Sequence, residues 1–191
     1  MRCDRWILAI VCVGLWCVAG CASLPPPAEV SRMMERVSNP PMTPPPGKSL
    51  VFFHRPLSPL KVYYTSGWDG TNFLTDLGNG HSTAYVCDPG RHIFTSRCVS
   101  QVAVVEANLL PDKTYDFVAN LDYLPLRPVK RDSKHRAMIP NWMTNAIWVT
   151  RGPGAANYAT TRQEMNNELI RDFTVGPKQS RLLHLAPEDC R

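Results

Sequence analysis

Several ordinary routes to a function are closed by what this sequence lacks. The apolar run at residues 6–18 stops short of the roughly 20 residues needed to cross a bilayer, and a Pro-rich stretch follows it in place of a stop-transfer pattern. A lasting transmembrane span is therefore not expected. Beyond residue 21 there is no CxxC pair and no Cys/His ligand spacing, and the five histidines (His54, His81, His92, His135 and His184) never fall at the i, i+4 spacing of a helical metal pair. No metal ligand is nominated, and no cofactor is expected apart from covalent lipid. A Gly-x-Ser-x-Gly elbow is absent, so no catalytic residue is nominated. Gly78-Asn79-Gly80 is too short for a phosphate loop and precedes a strand pattern. Asp69 and Asp76 sit beside turn glycines and are read as turn-shaping residues. The denser basic stretch at residues 127–136 contains no aromatic side chain, so it reads as a solvated loop and nucleic acid is not an expected partner.

What is present begins with an address. Arg2 and Arg5 precede the apolar run, which ends in small residues, the architecture of a secretory signal. Val18-Ala19-Gly20-Cys21 resembles the lipobox of bacterial lipoproteins. The resemblance implies cleavage between Gly20 and Cys21 and lipidation of Cys21, whose thiol takes a diacylglycerol. Two or three acyl chains make such an anchor stable where one short chain is marginal. Ala22 in place of Asp implies, by the same resemblance, an outer-membrane location facing the periplasm.

Removing residues 1–20 from 191 leaves 171 residues, enough for one domain with tails. The whole chain is formally +5; Arg2, Arg5 and Asp4 contribute +1, leaving a mild +4. Of seven cysteines, Cys3, Cys12 and Cys17 belong to the signal and Cys21 to the lipid. Cys87, Cys98 and Cys190 remain, and in an oxidising compartment a pair of them is expected to bridge. Cys87 with Cys98 is the preferred pair because they flank the turn Asp88-Pro89-Gly90-Arg91. A simple two-residue hairpin there would instead put Cys98 opposite His81, so the pairing stays open.

Along the exported chain, residues 21–48 are rich in proline and predict an extended tether, interrupted by a short helix over 28–37 carrying Val30, Met33, Met34 and Val37. Residues 49–121 change to short β-branched and aromatic runs between turn residues. Strands are predicted over 50–54, 61–65, 71–77, 82–87, 92–97, 101–108 and 115–121. Trp68-Asp69-Gly70, Gly78-Asn79-Gly80, Asp88-Pro89-Gly90 and Pro111-Asp112-Lys113 supply turns. This spacing predicts a mainly β fold, an antiparallel β-sandwich of about seven to eight short strands. Residues 122–191 form an extension with a strand over 146–150 and a helix over about 162–173 packed on the sandwich. Thr161 and Glu164 read as that helix's capping box. The tail contains Leu182, Leu183 and Leu185 as a last strand.

The runs 51–56 (VFFHRP), Asp69-Gly70, 77–80 (LGNG), 89–92 (PGRH) and 113–115 (KTY) resemble β-rich domains of bacterial lipoproteins that are similar to PEGA-type β-sandwich domains. The turn here reads Asp-Pro-Gly-Arg, a departure from Pro-Glu-Gly-Ala. The matching residues are turn signatures, so the resemblance implies a sandwich on the cell envelope and brings no activity with it.

Aromatics supply the binding candidates. Tyr63, Tyr64 and Trp68, with Phe73, gather near one hairpin, and Trp142 and Trp148 lie further on. Most are expected to be core; Tyr63 and Tyr64 are adjacent on a predicted strand and should point to opposite faces. Tyr63, Tyr64 and Trp68 are the candidate partner contacts. The function expected is a non-enzymatic envelope lipoprotein that meets the membrane through its lipid and binds a protein or glycan partner. The alternative is an envelope hydrolase or wall-modifying enzyme whose site is built from distant residues. The first predicts an exposed aromatic or apolar patch; the second predicts a concave pocket with convergent titratable groups.

Overall fold

A computed structural model describes residues 30–59, 63–119 and 124–191. The signal, Gly20, Cys21, the start of the expected tether and residues 61–62 and 120–121 of two expected strands lie outside the described residues.

The described chain is mainly β. Its strands are β1 (Met34–Arg36), β2 (Ser49–His54), β3 (Thr65–Asp69), β4 (Asn72–Leu77), β5 (His81–Cys87), β6 (Gly90–Cys98), β7 (Gln101–Leu109), β8 (Thr114–Val118), β9 (Arg127–Pro128), β10 (Ile147–Arg151) and β11 (Leu183–Leu185). Two α-helices follow the β-rich part: α1 (Ile139–Asn145), entered through a 3-10 turn at Lys134–Met138, and α2 (Ala155–Thr174). One sheet has the order β1-β10-β5-β2-β8-β9 and the other β11-β7-β6-β3-β4.

The expectation of a purely antiparallel sandwich with seven to eight strands is corrected here. The pairs β2–β8, β10–β5 and β11–β7 are parallel. Parallel neighbours need a long connection, and the chain provides one: it leaves the first sheet after β2, forms β3 and β4 in the second, returns as β5, and crosses again at Asp88-Pro89 into β6 and β7 before re-entering as β8.

Alternation sorts β2 cleanly. Val51 and Phe53 face the other sheet; Phe53 stacks on Phe117 of the neighbouring β8 at 5.2 Å, and Phe94 of β6 in the other sheet meets Phe117 edge-on at 5.1 Å. Phe52 and His54 face the opposite way, toward Trp148 and α1. Both faces are covered, so every residue of β2 is buried, which explains the unbroken apolar run. Ile139 and Trp142 fix α1 against Val118 and Val129. On the second sheet, α2 lays Leu169 and Phe173 on Val104, and Asn166 ties it down by accepting from Thr95 Oγ1 and donating to the Gly70 carbonyl, each at 2.5 Å.

Four local expectations change. The helix expected over 28–37 gives way to β1, because pairing with β10 and burying Met34 supply long-range partners that a short isolated helix lacks. The described part of the Pro-rich stretch is also docked: Gly47 N donates to Asp112 Oδ1 at 2.7 Å. The second strand is Thr65–Asp69 and the turn falls at Gly70, whose φ is +54°. Tyr63 and Tyr64 precede that strand. The C-terminal helix begins at Ala155, and Thr161 lies inside it, its Oγ1 donating to the carbonyls of Asn157 and Tyr158.

Cys87 and Cys98 are not bridged, and Cys190 also remains a thiol. Their strands belong to different sheets, and Cys98 ends β6 while Cys87 precedes its start. At about 3.3 Å per residue, β6 alone separates them by far more than a disulfide spans.

Candidate functional site

Three adjacent strands, β5, β2 and β8, bring together side chains far apart in sequence. Ser82 is the cross-strand partner of His54, and Asp116 that of Phe52. Phe52 and His54 share a face, so Ser82, His54 and Asp116 all lie on the side of the sheet that carries α1. Ser82 Oγ is 3.0 Å from His54 Nδ1, and Asp116 Oδ1 is 3.1 Å from His54 Nε2. A carboxylate only accepts, so Nε2 carries the hydrogen; in the neutral ring Nδ1 is then the acceptor for the Ser82 hydroxyl. The second Asp116 oxygen accepts from Arg191 Nε at 2.7 Å. Arg191 lies over the Phe52 ring at 5.1 Å and is held there by its own amide, which donates to the Thr114 carbonyl.

The chain of polar groups is buried. His54 is 0 % exposed, Ser82 2 % and Asp116 4 %, and the imidazole is enclosed by Phe52, Trp142 and Trp148 at ring distances of 5.8, 5.9 and 6.2 Å. Burying such groups is costly unless each has a partner, and here each does.

Ser82 also lines a cleft of about 430 Å³ between the sheet and α1. Pro56, Leu57, Met138 and Trp142 give it apolar walls, and Asn141, Asn145 and Ser82 give it neutral hydrogen-bonding groups. Asn145 Nδ2 donates to Asn141 Oδ1 at 2.8 Å, linking the two amides one turn apart on α1. Arg55 forms part of the same wall; its Nη1 donates to the Leu77 carbonyl at 2.5 Å, while Nε and Nη2 have no hydrogen-bond partner among the described residues. Burial lowers the Arg55 pKa, opposed by Cys98 and Asp76, and burial raises that of Asp76.

A second polar cluster holds the crossing between the sheets. His92 Nδ1 is 2.7 Å from Asp69 Oδ2 and His92 Nε2 is 2.9 Å from the Asp88 carbonyl, so both ring nitrogens face acceptors. Tyr85 donates to the same Asp69 oxygen at 3.0 Å. The hydrogen bond to Asp69 raises the His92 pKa against the opposing effect of burial. Burial, with Asp69 and Asp88 nearby, pushes the Cys87 thiol up to about 12, so it stays protonated at neutral pH.

The residues singled out from sequence are scattered. Tyr63 is 61 % exposed, Tyr64 is part-buried, and Trp68 is 4 % exposed, packed between Phe73 and Tyr158. Trp68 is therefore core and offers no surface contact. In the basic stretch Lys130, Arg131 and Lys134 are exposed, whereas Arg136 donates to the carbonyls of Asp189 and Cys190. Sequence reasoning missed His54, Ser82, Asp116 and Arg191. Asp116 carried a usable signal, being a charge inside the strand Thr-Tyr-Asp-Phe-Val, where burial demands a partner.

Among the described residues no group of His, Cys, Asp and Glu side chains could hold a metal ion, and no helix is long and apolar enough to cross a membrane. No protein-family model matches the chain, and no curated protein matches it.

Proposed function

We propose that the chain is an exported lipoprotein of the cell envelope, anchored through lipid on Cys21 at the periplasmic face of the outer membrane, and that it binds a glycan in the cleft beneath α1. The observation that carries the reading is the cleft itself. Its volume of about 430 Å³ lies in the range of small-ligand sites, and its apolar walls with the neutral Asn141, Asn145 and Ser82 and a buried Arg55 behind them are what such sites use. Amide and hydroxyl groups match sugar hydroxyls, and the walls of Met138, Leu57 and Pro56 suit the apolar face of a sugar ring. Among the described residues the other large exposed apolar side chains, Met42, Tyr63, Val99, Leu110 and Val175, fall on separate segments of the chain.

The anchor and the cleft are tested apart. Metabolic labelling with palmitate is expected to mark the wild-type chain and not Cys21→Ala, which should leave the membrane fraction; equal labelling of both would remove the anchor. For the cleft, the full lipidated chain in micelles is titrated with an N-acetylglucosamine–N-acetylmuramic acid disaccharide while backbone amide resonances are followed. Shifts confined to Gly80, Ser82, Asn145 and Ala146, weakened at least several-fold by Asn141→Ala, are expected. Saturable shifts elsewhere, or none at millimolar disaccharide, would overturn the glycan reading.

A further inference from the structure

We propose that the cleft also carries an acyl-transfer site in which Ser82 is the nucleophile, His54 the general base, and the substrate an uncharged carboxylic ester with a small acyl group, such as an O-acylated sugar. This rests on the cleft being the binding site. Three observations carry it together. Ser82 lines the cleft and is hydrogen-bonded to His54 Nδ1 at 3.0 Å. Asp116 accepts from the opposite imidazole nitrogen at 3.1 Å, which fixes the tautomer that leaves Nδ1 basic toward Ser82. The ring stands in an apolar shell of Phe52, Trp142 and Trp148, where an adjacent carboxylate stabilises an imidazolium most strongly. The logic is that of a serine, a base and an orienting acid with the roles of the two ring nitrogens exchanged. Function is recognised by such roles and geometry, whatever the positions in the chain.

The step balances without a redox partner. The Ser82 oxygen attacks the ester carbonyl carbon as its proton passes to His54 Nδ1, and the carbonyl electrons move onto oxygen. That oxyanion collapses, the C–O bond to the alcohol breaks, and the departing oxygen takes the proton from Nδ1. Water then attacks the acyl-Ser82 carbonyl, giving its proton to Nδ1; the carboxylic acid leaves and the proton returns to Ser82 Oγ. Ester and water become acid and alcohol. Asn141 lines the cleft with Oδ1 accepting from Asn145, which leaves its own Nδ2 to donate to the oxyanion. Arg191 acts through Asp116 and is a positioning residue. Walls of Pro56, Leu57 and Met138 and the neutral amides fit an uncharged ester; the one cation of the wall, Arg55, is 1 % exposed and does not stand open to a polyanionic one.

The test is labelling of the full chain with an alkyl fluorophosphonate, which traps a nucleophilic serine covalently, followed by peptide mass spectrometry. The expected result is one adduct, on Ser82, absent from Ser82→Ala and formed roughly 10²-fold or more slowly in Asp116→Asn. Near-UV circular dichroism matching the wild type keeps both variants interpretable. Unlabelled but folded wild type, label surviving in Ser82→Ala, or a rate indifferent to Asp116→Asn would each overturn the site. If labelling fails while the disaccharide still shifts Gly80 and Ala146, the acyl-transfer proposal falls and the glycan reading stands; if neither occurs, both fall.

Discussion

Charge burial sets the terms at the residue scale. Asp116 satisfies His54 with one oxygen and Arg191 with the other, so removing it strips two groups at once. Asp116→Ala is expected to cost about 3 kcal/mol or more in urea unfolding, because breaking a buried pair leaves an uncompensated polar interior. Arg191→Ala should cost clearly less, since that side chain is about a third exposed. His92 behaves as a pH-dependent latch. Its folded pKa is raised by Asp69, so its contribution is fully present below the unfolded value of about 6.5 and is lost as pH rises through the higher folded value. The stability difference between wild type and His92→Gln should therefore be largest near about pH 5.5 and shrink toward about pH 8.5; a difference that grows with pH would contradict the Asp69 pairing. At this scale the sequence was only partly readable. A charge at Asp116 amid Tyr115, Phe117 and Val118 announces that a partner exists, but the partners lie 62 residues before it and 75 after it, and no local pattern names them.

Elements are decided by what they dock against. Helix α2 is capped at its start by Gly154, where only glycine fits because a Cβ would lie 2.7 Å from the Arg32 carbonyl oxygen, just before β1. Its inner face is held by one amide, Asn166, which meets Thr95 and Gly70. Asn166→Ala leaves a buried hydroxyl and a carbonyl without their partner and should destabilise by about 1 to 3 kcal/mol in chemical denaturation. A change within a few tenths of wild type would show that apolar contacts alone seat the helix. The spacing of Met165, Leu169 and Phe173 made this helix legible, while its first turns were not, since their partners are distant in sequence: Tyr158 packs on Trp68 and Phe73, and Gly154 lies against Arg32. The same cause reversed the reading of Met33 and Met34. Their helical spacing is real, but β10 offers an open edge, and pairing there outweighs a short helix's weak local preference.

Across the whole molecule, strand positions were readable because alternation and turn residues are local, and their partners were not. Asp88-Pro89-Gly90 signals a turn equally well for a hairpin and for a crossing between sheets; here it crosses, which separates Cys87 from Cys98 and makes β2 and β8 parallel neighbours. That parallel pairing is what sets Asp116 beside His54. The sheets are joined by Phe53, Phe94 and Phe117, and Phe117→Ala is expected to cost about 3 to 5 kcal/mol, enough to lower the thermal midpoint markedly.

The most direct test of the proposal that the face beneath α1 is where the protein meets a glycan is in-cell photo-cross-linking from two positions of the full chain. Benzoylphenylalanine replaces Met138, exposed at the cleft, or Gln163, exposed on α2. A glycan-bearing adduct that forms from Met138, is lost on glycosidase digestion, and does not form from Gln163 is the predicted result. Equal adducts from both positions, or an adduct from Gln163 alone, would contradict the account.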